Sequence, residues 1–175
     1  MTLQPKAGDA WPFGINRVDH TGITVSSLKA SLDFWVGVLG FQHLYTWDFK
    51  NDAFIENLVA VEGASLSLAM VEGYGHKIEL LQYYSPANRK TVDARACDAG
   101  FIHIAMYVDD LDALLERIKE DGWLPVGPPQ RVEGGERDGL RLVYVRGPDG
   151  VTLEFLQPPA HKKFTARSEF TPEVG

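Results

Sequence analysis

The stretches Val18-Asp19-His20-Thr21-Gly22-Ile23-Thr24-Val25 and Phe101-Ile102-His103-Ile104-Ala105-Met106-Tyr107-Val108 read alike: a strand-like run that carries one histidine and leads into a helical pattern. Two later stretches, Ile78-Glu79-Leu80-Leu81-Gln82 and Leu153-Glu154-Phe155-Leu156-Gln157, each set one carboxylate inside an apolar strand pattern. His20 and His103 lie 83 positions apart, as do Leu28 and Leu111, which open the two helical patterns; Glu79 and Glu154 lie 75 apart. One unit is therefore present twice in register. Its second copy is 8 residues shorter between histidine and glutamate, as a loop deletion would leave it. Two imidazoles and two carboxylates at matching places make the donor set of a divalent metal site, and independent surface residues would rarely recur in this way.

Outward from the histidines, Ser26-Ser27 offers an N-cap to a helix with Leu28, Leu32, Trp35, Val36 and Leu39 at helical spacing, ended by Gly40. In the second copy Val108-Asp109-Asp110 leads into Leu111, Leu114, Leu115 and Ile118, ended by Gly122. Strand-like runs follow at 41–49, 64–71 and 77–83, then at 140–146 and 151–156, the last two joined as a hairpin through Pro148-Asp149-Gly150. Each unit reads strand, helix, then about three strands. The organisation is a flank over 1–14, a first unit over 15–83, a connector over 84–100, a second unit over 101–157 and a tail over 158–175, with the two ends free to wrap a partner.

The two-residue period of a strand sets the faces. Ile102, Ile104, Met106 and Val108 point to the helices, which leaves Phe101, His103, Ala105 and Tyr107 opposite. The same count puts His20 beside Gly22 and Thr24, Glu79 opposite Ile78 and Leu80, and Glu154 opposite Leu153 and Phe155. If both sheets share one concave face, the four side chains meet in one cleft. Carboxylates held among apolar neighbours without a partner cost several kcal/mol and repel each other, and a divalent cation removes both costs.

Composition narrows the classes. At 175 residues and 45% hydrophobic, the chain holds enough apolar residues for one well-buried domain or two joined halves. A formal charge of −7 and a pI near 5.2 argue against nucleic acid as a partner, since phosphate binding needs clustered Lys and Arg. The one cysteine, Cys97, excludes an internal disulfide and fits a reducing compartment. No apolar run reaches bilayer length and no signal-peptide pattern opens the chain, so a cytoplasmic protein is expected, with a small-molecule substrate and no membrane contact. His43, His76 and His161 have no counterpart in the other copy, and solvent exposure is expected for each.

The pattern His-x-Gly-Ile-x-Val, then Leu-x-x-Ser-Leu-x-Phe-Trp and Val-Leu-Gly-Phe, spanning His20 to Phe41, resembles the opening of the vicinal oxygen chelate superfamily. That superfamily includes glyoxalase I, methylmalonyl-CoA epimerase, extradiol dioxygenases, and fosfomycin and bleomycin resistance proteins. The resemblance covers about 18–157. It implies an α+β fold of two tandem βαβββ modules forming a cupped mixed sheet. It also implies His20, Glu79, His103 and Glu154 as ligands of a divalent metal, with zinc, nickel, cobalt or manganese ahead of iron.

Within the superfamily, this ligand set is similar to that of bacterial glyoxalase I, whereas the epimerase usually has Gln at the second position. The resemblance also places a glutathione-contacting Arg four residues past the first His and an Asn four past the first Glu, where this chain has Thr24 and Tyr83. Ile78-Glu79-Leu80-Leu81 followed by Ser85-Pro86 looks like the epimerase, and Glu62 precedes the strand where epimerases carry a catalytic carboxylate. The implied activity is proton transfer through a metal-stabilised enolate, by an epimerase or isomerase of an acyl-CoA or related small acid. Glu154, Glu79 or Glu62 serves as the base. Lactoylglutathione lyase chemistry is the alternative. An extradiol dioxygenase needs Fe(II) with two His and one carboxylate, so a fourth ligand at Glu79 argues against it, and the intact ligand set argues against a metal-free drug-binding resistance protein. Tyr45, Trp47 and Phe54, in or near the later strands of the first module, are expected to line the apolar part of the cleft or its core. Exposed sheet edges favour a homodimer.

Overall fold

Both long helices begin where the sequence offers a cap. In the computed structural model, which describes residues 14–160, the Ser27 side chain accepts a hydrogen bond from the Ala30 N–H at the start of α1 (Leu28–Gly37), and Asp110 accepts one from Ala113 at the start of α3 (Leu111–Lys119). Gly40 and Gly122, at φ +75° and +78°, turn the chain out of each helix. The residue after each glycine is aromatic, and its ring lies flat on a second glycine: Phe41 on Gly73, Trp123 on Gly147. A Cβ at Gly73 or Gly147 would come within 2.9 or 2.7 Å of these rings, so only glycine fits.

A further pair of contacts repeats between the copies. The Leu28 N–H donates to Gln82 Oε1 at 2.6 Å, and the Leu111 N–H to Gln157 Oε1 at 3.4 Å. Each glutamine lies three residues past a glutamate of interest, so its contact ties the glutamate's strand to the first turn of the module's helix.

The first sheet contains β1 (Thr21–Thr24), β2 (Gln42–Phe49), β3 (Ser65–Gly73) and β4 (His76–Ser85) in the order β1-β4-β3-β2, with β1 and β4 parallel and the rest antiparallel. The second contains β5 (Ile104–Tyr107), β6 (Leu124–Pro125), β8 (Arg141–Arg146) and β9 (Thr152–Gln157) in the order β5-β9-β8-β6, with β7 (Gln130–Arg131) also paired to β8. Again the first and last strands run parallel. Both sheets are mixed and open. This is the expected pair of modules, with the counterpart of β2 in the second copy broken into the two short pieces β6 and β7.

One core joins the modules. Ala69, Val71, Ile78 and Leu80 of the first sheet and Val143, Val145, Leu153 and Phe155 of the second enter it together with Phe34, Trp35, Leu111 and Ile118 of the helices. Phe34 stacks on Trp123 across the junction, with ring centroids 4.3 Å apart and planes 11° apart.

Three details depart from the sequence reading. A short helix, α2 (Ala53–Val59), stands between β2 and β3 with Asp52 as its N-cap, so Phe54 is helical and exposed outside the strands. Ile102 is exposed because β5 begins only at Ile104 and the inward face starts there. His76 is half-buried and shares a hydrogen bond of 2.9 Å with Thr21 Oγ1, whereas His43 is exposed as expected and His161 lies outside the described residues. Among the described residues no helix is long and apolar enough to cross a membrane.

Candidate metal centre

His20 sits one residue before β1 and His103 one residue before β5, so each leaves the end of a parallel edge strand. Register brings each to a glutamate on the neighbouring strand. Gly22 pairs with Glu79, and Ala105 with Glu154, which puts the histidines diagonal to the carboxylates on the same face. His20 Nε2 lies 3.4 Å from Glu79 Oε2, and His103 Nε2 lies 3.1 Å from Glu154 Oε2. The side chains are partly withdrawn from solvent, Glu154 most of all at 13% exposure.

The four residues form two pairs. Among the described residues no group of three or more His, Cys, Asp or Glu is arranged to hold an ion, so one chain does not gather all four into the common cleft expected from the sequence. The reason lies in the shared core. Ile78 and Leu80 turn into it from one side, Leu153 and Phe155 from the other, and strand alternation then directs Glu79 and Glu154 out of it on separate faces.

The chemistry of each pair fits a cation. His20 Nδ1 lies 3.1 Å from Asp19 Oδ2, which assigns the ring proton to Nδ1 and leaves the Nε2 lone pair facing a carboxylate oxygen of Glu79. Two acceptors face to face need a proton or a metal between them. The His20 ring, with Lys77 beside it, holds the Asp19 carboxyl below the usual carboxylate range, and Arg17 pairs with it on the outer side at 3.2 Å. A carboxylate behind a histidine is a common device for orienting a metal ligand.

The second pair has a different neighbour. Tyr144 is the cross-strand partner of Glu154, its hydroxyl stands 3.5 Å from His103 Nε2, and burial together with the Glu154 charge pushes its phenol pKa up. The equivalent position in the first module, opposite Glu79, is Met70. A cleft of about 310 Å³ opens beside Glu154, lined by Val126, Pro128, Gln130, Leu142 and Tyr144. Neither Asp19 nor Tyr144 stands out in the sequence, although a hairpin centred on Asp149 sets residues 144 and 154 opposite each other.

The remaining candidates are placed elsewhere. Glu62 is exposed in the turn before β3, at the end of the sheet marked by Ser65 and Ser85. Met70 pairs with Glu79, so strand rise separates Glu62 from that pair by more than about 15 Å. Tyr45 and Trp47 stack at 4.5 Å on the face that carries Glu79. Thr24 pairs with Leu81, and Tyr83 packs among apolar side chains under α2, its phenol pKa raised by burial and by Glu79.

Residues 17–155 match the profile of the Glyoxalase/Bleomycin resistance protein/Dioxygenase superfamily. The chain belongs to this superfamily. A relative from Actinomyces sp., named 2-epi-5-epi-valiolone epimerase, is 31% identical over 160 residues, covering 89% of this chain and 87% of its own length. A second, named lactoylglutathione lyase, from Neisseria meningitidis serogroup B, is 32% identical over 144 residues, covering 81% of this chain and 90% of the relative. The crystal structure of a glyoxalase family protein from Bacillus cereus superposes with a TM-score of 0.69 at 21% identity, covering 84% of this chain and 97% of the other, and so shares the glyoxalase fold.

Proposed function

We propose that this superfamily member is a divalent-metal-dependent epimerase or isomerase that moves a proton at a carbon next to a carbonyl. In this reading His20 and Glu79 of one chain hold the metal together with the His103 and Glu154 of a second copy, in a homodimer. The observation that carries the proposal is the pair of equivalently built His–Glu half-sites, at 3.4 and 3.1 Å, on faces turned away from the shared core. Each supplies half of a four-ligand set, and a two-fold contact between unlike halves completes two sites at once. A bound divalent ion supplies the positive charge that stabilises an enolate beside the carbonyl.

The chain's own residues do the rest. Glu79 and Glu154 come from opposite walls of the assembled site, so one can take the α-proton while the other delivers a proton to the opposite side of the same carbon. That arrangement suits epimerisation; return of the proton to the neighbouring carbon would give the lyase reaction. Glu62, at the far end of its sheet, is left out. The epimerase relative covers 89% of the chain, and Tyr83, where a glutathione contact is expected from the resemblance, is engaged in packing under α2. Both favour the epimerase over the lactoylglutathione lyase.

The test is metal analysis of protein purified without chelator, with α-proton exchange in D₂O on 2-epi-5-epi-valiolone, methylmalonyl-CoA and the hemithioacetal of methylglyoxal and glutathione. The expected result is about one ion per chain and exchange that chelator abolishes. Exchange that persists in metal-free protein would overturn the reading. Asp19→Asn should weaken metal binding about 10- to 100-fold in a chelator competition, because His20 loses the carboxylate that holds its Nδ1–H. Unchanged affinity would make Asp19 only a surface partner of Arg17.

A further inference from the structure

The two copies part company just beyond their paired glycines. In the first, Tyr74 follows Gly73 and closes the end of α1: its ring meets Phe41 edge-on at 5.4 Å and its hydroxyl donates to the Leu39 carbonyl at 2.8 Å. In the second, the residue after Gly147 is Pro148, which brings neither an aromatic ring nor a donor. A groove of about 300 Å³ opens there instead, walled by Pro148, Asp121 and Trp123, the counterpart of Phe41. It crosses the module junction to Ala30 and Ser31 of α1, over Phe34 and Trp35. Val25 and Val151 line it from the core side of their sheets, so it lies on the opposite side from Glu79 and Glu154.

Its charge is one-sided. Asp33, Glu120, Asp121 and Asp149 line the groove, and no Lys or Arg does. Lys29 pairs with Asp33 and Arg117 with Asp121, each at 2.6 Å and each from outside the lining. Asp149 accepts the Ser26 N–H at 3.0 Å. An aromatic wall and carboxylates together favour a cation with a flat apolar body. We propose that this groove binds a small aromatic ammonium ion, its ring against Trp123 as the Tyr74 ring is against Phe41, and its ammonium group among Asp33, Asp121 and Asp149. The first copy supplies the template, a ring carrying a hydrogen-bond donor. The site is separate from the His–Glu pairs, so it stands independently of the proposed reaction.

Titration of ¹⁵N-labelled protein with 2-phenylethylammonium chloride at constant ionic strength tests it, with 2-phenylethanol and phenylacetate as neutral and anionic controls. The Trp123 and Trp35 indole N–H signals and the amides of Ser27, Ala30 and Ser31 should move saturably, while Trp47 stays in place. The ammonium ion should bind at least about fivefold more tightly than the alcohol, and phenylacetate should not saturate. Asp33→Asn with Asp149→Asn should weaken the ammonium ion about fivefold and leave the alcohol unchanged. Pro148→Tyr, which supplies the missing ring, should abolish binding; Ala30→Trp, filling the groove from an exposed position, gives the same test should Pro148→Tyr misfold. No saturable shift, equal binding of the alcohol, or indifference to the filling variants overturns the proposal. Movement of the same signals without amine, on dilution or on removal of residues 161–175, would assign the groove to a second copy or to the chain's own tail and overturn it as well.

Discussion

His20→Ala and His103→Ala chains, each metal-poor and inactive when purified alone, should recover roughly a quarter of wild-type metal content and activity when refolded together in equal amounts. Each chain presents one His–Glu pair from its first module and one from its second, on separate faces. If a site joins the first pair of one copy to the second pair of its partner, a mixed dimer holds one site with both substitutions and one with neither. Random mixing makes about half of the dimers mixed, and half of their sites are whole. Four ligands collected within one chain would give no recovery, because every chain in the mixture carries a defect. That outcome would also demand that the modules rotate out of their common core. Dimers purified through two different tags should reach about half of wild-type activity, which separates true complementation from partial refolding.

The second large effect concerns stability. Phe34→Ala should cost about 3–5 kcal/mol, a substantial share of the 5–15 kcal/mol that typically holds a domain folded. Phe34 is 2% exposed, stacks on Trp123 and meets Trp35 edge-on, so truncation opens a cavity at the junction of the two modules. For a chain of this length the unfolding midpoint should fall by about 6–20 °C, read by far-UV circular dichroism during heating. Phe34→Leu, which keeps apolar volume but loses the stack, should cost clearly less. A midpoint within about 2 °C of wild type for Phe34→Ala would show that the stack contributes little to holding the modules together.

Much of this was legible in the residues, because a tandem repeat checks itself. A strand, cap or terminating glycine expected in one copy is checked 83 positions away, and alternation within β4 and β9 places Glu79 and Glu154 on the face away from the shared core, as expected. Alternation says which side of a sheet a residue occupies and nothing about how two sheets dock. The separation of the ligands into two pairs therefore stayed hidden until the common core was visible. Helix α2 was illegible for another reason: seven residues give too few turns for a period, and Ile55 and Val59 alone mark its inner side. Tyr144 escaped notice because its importance comes from hydrogen-bond register with Glu154, which one strand read by itself does not reveal.

The place where α2 enters the chain has a consequence for how this scaffold diversifies. Phe49 and Leu66 are direct neighbours across β2 and β3, so the intervening segment departs and returns at almost the same point. It can lengthen, shrink or be exchanged for foreign sequence while the scaffold on either side keeps its alignment. A library randomised only between those two positions therefore varies the cover over the sheet face that carries Glu79 while His20, Glu79, His103 and Glu154 stay in place.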